Sequence, residues 1–82
     1  MGEAERVRRQ IRVVLVVHRT ERERIVAMAA RGEARQEDLD GLRARSIEIL
    51  DTARAQLDGS AAWHPQLLEE LAQARMEVSR ID

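Results

Sequence analysis

Apolar residues recur at alternating spacings of three and four in three stretches, separated by Gly32, Gly59 and the nearby Pro65. Such spacing puts them on one side of a helix. In the first stretch Val7, Ile11, Val14, His18, Glu21, Ile25 and Met28 share a face, with His18 and Glu21 as polar interruptions. Arg8, Arg12, Arg19 and Glu23 fall on the opposite face, and Gly32 suits the left-handed position just past a helix end. The second stretch aligns Leu39, Leu42, Ser46, Ile49, Leu50, Ala53 and Leu57. Asp38 or Asp40 is positioned to cap it. Gly41 would cost about 1 kcal/mol inside a helix, so either the helix begins near it or a neighbour approaches closely there. The third stretch opens with Trp63-His64-Pro65, which reads as His64 at the N-cap, proline at the first helical position and Trp63 stapled onto Leu68. Leu67, Leu71, Ala74, Val78 and Ile81 continue it as a narrow seam. The spacing predicts an all-α fold in a single domain over 1–82, with helices at about 3–31, 36–58 and 65–81.

Residues 11–17, Ile-Arg-Val-Val-Leu-Val-Val, also carry the β-branched signature of a strand. Thr20-Glu21-Arg22-Glu23 fits a capping box opening a fresh helix. A short strand followed by two helices over residues 10–58 resembles the ribbon–helix–helix family of dimeric DNA-binding repressors. That resemblance implies a small regulator or antitoxin, with Arg6, Arg8, Arg9 and Arg12 meeting the nucleic acid. The chain departs from it where bases would be read: a strand here presents Arg12, Val14 and Val16 to the groove, and valines read few base edges. The unbroken helical register through Thr20 predicts one long helix instead.

Composition narrows the function. The 82 residues include no Cys, no Lys, no Phe and no Tyr, and Trp63 is the lone aromatic. Disulfides, thiolate metal sites, cysteine nucleophiles, Schiff bases and a P-loop lysine are thereby excluded. No hydroxyl sits in a nucleophile elbow and there is no glycine-rich phosphate loop, which points away from an enzyme. The longest apolar run, Val13–Val17, is far shorter than the roughly 20 residues of a membrane span. With no apolar leader stretch either, a cytoplasmic location is expected. A chain this small buries only about 60 % of its unfolded surface, so self-association as a homodimer or higher oligomer is the expected way to complete its core.

The Val13–Val17 run also carries the leading functional expectation. On a helix Val14 joins the main apolar face, whereas Val13, Val16 and Val17 fall on the charged side. A helix apolar all round is covered on more than one side. Either the two short helices surround it, or Val13, Val16 and Val17 form an interface with a second subunit or a partner helix. The expected function is a non-enzymatic protein-interaction module that self-associates through this helix. His18 and Glu21 give a third possibility, a metal-binding bundle, although the usual Glu-x-x-His motif is missing; otherwise they form a polar layer, satisfied by each other or by Arg22. No cofactor is expected. Trp63 is the candidate anchor for a partner if it does not staple the third helix. Residues 1–32 hold eight Arg and four acids, a net of +4, and residues 33–82 hold six Arg and eleven acids, a net of −5. The basic first helix is expected to pair with the acidic ones, within one chain or across a dimer.

Overall fold

The computed structural model describes residues 2–59 and 64–80. Its three helices are α1 (Glu3–Ala30), α2 (Gln36–Asp58) and α3 (Pro65–Ser79). Residues 10–17 lie inside α1, so the strand required by a ribbon–helix–helix arrangement is not formed there. The four–three register prevails over β-propensity because it continues from Val7 to Met28, about six turns.

The helix ends follow from local chemistry. Past α1, Gly32 adopts φ 75°. Its N–H donates to Ala29 O at 3.0 Å and the Glu33 N–H to Met28 O at 2.8 Å. This nested pair is a Schellman closure, which needs a left-handed residue that glycine supplies without a Cβ penalty. At the start of α2 the N-cap is Arg35, in place of the expected Asp38 or Asp40. Asp38 stabilises that end from the third helical position by accepting the Arg35 N–H at 2.8 Å. Gly41 lies a turn and a half inside α2, and the nearest atom to a Cβ built on it is Arg45 Nη1 at 3.6 Å. Neither explanation expected for that glycine applies. Proline opens α3 as predicted, with His64 at the N-cap. The His64 side chain makes no capping bond; its carbonyl accepts the Leu68 N–H at 3.1 Å. Trp63 and Ile81 lie outside the described residues.

At about 1.5 Å per residue α1 is about 42 Å long and α3 only about 22 Å, within a molecule whose long dimension is 49 Å. α2 folds back antiparallel on α1. α3 runs parallel to α1, because Arg8 meets Glu70 and, further along both helices, Arg19 meets Glu77. The core joins Val7, Ile11 and Val14 of α1 to Leu50, Ala53 and Leu57 of α2 and to Leu67, Leu71, Ala74 and Val78 of α3. Leu15, partly buried, packs against it. Ile25 and Leu42 are buried outside that cluster: Ile25 borders the α1–α2 groove with Gly41 and Arg45, and Leu42 lines a small cleft with His18 of α1 and with Val78 and Arg80 at the end of α3. One expected core residue is misplaced. Ile49 is 47 % exposed, because Leu50 and Ser46 occupy the centre of the α2 contact and turn Ile49 to its flank.

Candidate functional site

Two features stand apart from the apolar core: a buried polar layer and an exposed valine cluster. The layer is built by His18, which is 5 % exposed, and Ser46, which is 4 % exposed. His18 Nδ1 and Ser46 Oγ share a hydrogen bond of 2.8 Å across the α1–α2 contact. Burial lowers the imidazole pKa from its ordinary value, aided by nearby Arg22 and Arg19, and Glu77 opposes the shift. The polar layer therefore exists with a different partner from the one expected. Glu21 turns away from His18 and accepts from Arg24 Nη2 at 2.8 Å, which holds its carboxyl below the usual range. Ser46, the polar position on the stripe of α2, satisfies the histidine. His18 and Ser46 each lie on the apolar stripe of their own helix, but the pairing needs the helix–helix register. His18 and Glu21 are not brought together as ligands, and among the described residues no three His, Cys, Asp or Glu side chains are grouped to hold a metal ion.

Val13, Val16 and Val17 are 55 %, 60 % and 52 % exposed. Of the two alternatives for this run, the one in which α2 and α3 surround α1 is not met. The reason is number: two helices cover two flanks of a third, and the side facing away from both stays open. The apolar surface continues onto α2. Glu21, Ile25 and Met28 line the same α1–α2 groove as Arg45, Gly41 and Asp38. One turn further along each helix, this antiparallel register brings Val17 level with Ile49. Ile49 thus belongs to the exposed patch, and the hydrophobic stripe alone misplaced it.

The four arginines of the N-terminal cluster divide. Arg8 leans towards α3, its Nε 3.5 Å from Glu70 Oε2. Arg6, Arg9 and Arg12 are exposed. Further along, Arg19 grips Glu77 through two bonds of 2.7 and 2.8 Å, depressing the Glu77 carboxyl. On the other contact, Arg75 of α3 donates to Asp51 of α2 at 2.9 Å. The basic first helix is therefore matched to the acidic third within one chain.

No described helix is long and apolar enough to cross a membrane. In comparisons with protein-family models, with curated proteins and with solved structures, nothing matches this chain.

Proposed function

We propose that this chain is a non-enzymatic helical interaction module that associates with itself through the outer face of α1. The observation that carries the reading is the exposure of Val13, Val16 and Val17 by more than half, side by side on the helix face turned away from the bundle. Isolated apolar side chains on a surface are ordinary, but a contiguous group points to contact with another protein. Ile49 enlarges the group from one helix to two. The size of the chain supports the same reading, since small cores gain stability by association.

Sedimentation equilibrium tests it directly. The native chain is expected to sediment as a dimer or higher oligomer at micromolar concentration. Val16→Asp is expected to sediment as a monomer with its helical circular dichroism retained, because Val16 contributes nothing to the intrachain core. A native chain that stays monomeric up to hundreds of micromolar overturns the proposal.

A further inference from the structure

The outer face of α1 carries a charge pattern that specifies how two copies would meet. Arg9, Val16 and Glu23 are spaced by seven residues, so they lie along one strip of the helix with Val16 midway. All three are exposed. The lateral charges of α1 are engaged within the chain: Arg8 with Glu70, Arg19 with Glu77 and Glu21 with Arg24. Among the described residues, the side chains of Arg9 and Glu23 have no such partner.

Resting on the self-association reading above, we infer that two copies pair α1 against α1 antiparallel about a two-fold axis passing beside Val16, with Arg9 of each copy facing Glu23 of the other. A two-fold axis at Val16 converts residue 16 − n of one helix into the neighbour of residue 16 + n of its mate. The heptad spacing thus generates two Arg9–Glu23 pairs, each about 10 Å along the helix from the axis at 1.5 Å per residue. Val16 then meets its own copy, and Val13 lies opposite the stretch Val17–Thr20. Parallel pairing of the same face sets Arg9 against Arg9 and Glu23 against Glu23. It also stacks Arg6 and Arg12 on their own copies, and like charges facing each other across an interface penalise that arrangement. The antiparallel one places the three outward arginines of the N-terminal half against the half that contains Glu23. Ile49 flanks Val17 and widens the strip that a second α1 would cover.

The chain has no cysteine of its own, so single-cysteine variants report orientation cleanly. On mild oxidation Val16→Cys is expected to cross-link to itself. Arg9→Cys mixed with Glu23→Cys is expected to give the mixed disulfide in large excess over either self-linked product. Charge reversal supplies a second readout. Arg9→Glu and Glu23→Arg should each weaken dimerisation roughly tenfold at low salt, since each replaces two attractive pairs by two repulsive ones. The double variant restores the opposite charges and should return to within about threefold of the native chain. Preferential self-linking of Arg9→Cys, or additive loss in the double charge variant, overturns the antiparallel arrangement while leaving association through the valines intact. A native chain that is monomeric by sedimentation overturns both.

Discussion

Two levels along α1 use the same inward face in different ways. From Val7 to Val14 the helix is flanked by α2 and α3, and its buried positions are purely aliphatic. From His18 onward the inward positions become a histidine bonded to Ser46, level with the last turn of α3, and then Ile25, in the α1–α2 groove past the end of α3. Three helices enclose a volume that only apolar side chains fill well. At the last turn of α3 the His18–Ser46 pair and the Arg19–Glu77 ion pair take the place of that aliphatic filling. The aliphatic core is thus concentrated at one end of the molecule, and the α1–α2 hairpin past the end of α3, with fewer buried side chains, is expected to open first.

The sharpest way to break the comparison is to remove a large side chain from each level. Leu50→Ala, at the centre of the three-helix core, should cost about 3–5 kcal/mol, which is most of the stability of a domain this small. Ile25→Ala, in the α1–α2 groove past the end of α3, should cost nearer 2 kcal/mol, because that groove is open to water on one side. Urea denaturation followed by circular dichroism measures both, and equal losses would show that α3 does not define two levels.

The polar layer comes next. Ser46→Ala leaves the His18 ring nitrogen buried without its partner and should cost about 1–2 kcal/mol. The same layer makes stability depend on pH. Because the folded-state pKa of His18 lies below 6.5, the unfolded chain binds the proton more readily. Stability should be full above about pH 6.5, fall as the pH drops towards the folded-state value and level off below it. Glu77, Asp51 and Glu21, whose folded pKa values are depressed by their arginine partners, should add a second loss below about pH 4.5. Urea midpoints taken between pH 7.5 and 5.5 isolate the first phase. His18→Gln should abolish it and leave the second.

Smaller effects sharpen the picture at the surface. Gly41→Ala should stabilise the chain by about 0.5–1 kcal/mol, since the site is helical and a methyl group there meets only the end of Arg45 in ordinary contact. Its thermal midpoint should rise, and a fall would reveal a close neighbour at that position. Arg19→Ala removes the two-bond clasp on Glu77. It should cost no more than about 1 kcal/mol, less in high salt, because Arg19 is largely exposed and Glu77 is still a third exposed.

Much of the fold was legible in the residues alone. Three helices, their order and the interior stripe Val7–Ile11–Val14 follow from spacing. Their ends follow from Gly32, Gly59 and Pro65, because capping and helix termination act over four or five residues of the same chain. The valines outside that stripe were also visible as a surplus that one helix face could not accommodate. The partner of His18 was not. Ser46 lies 28 residues away, and a stripe of buried positions gives no register between two helices. Nor could periodicity choose between neighbours such as Ile49 and Leu50, which differ by about 100° around the helix and both border the apolar face. The sequence by itself determined which segments coil and which face each must hide. Only the tertiary structure decided how far the short α3 reaches, which residues are left outside its cover and which polar groups must satisfy each other, because those depend on where three helices sit relative to one another.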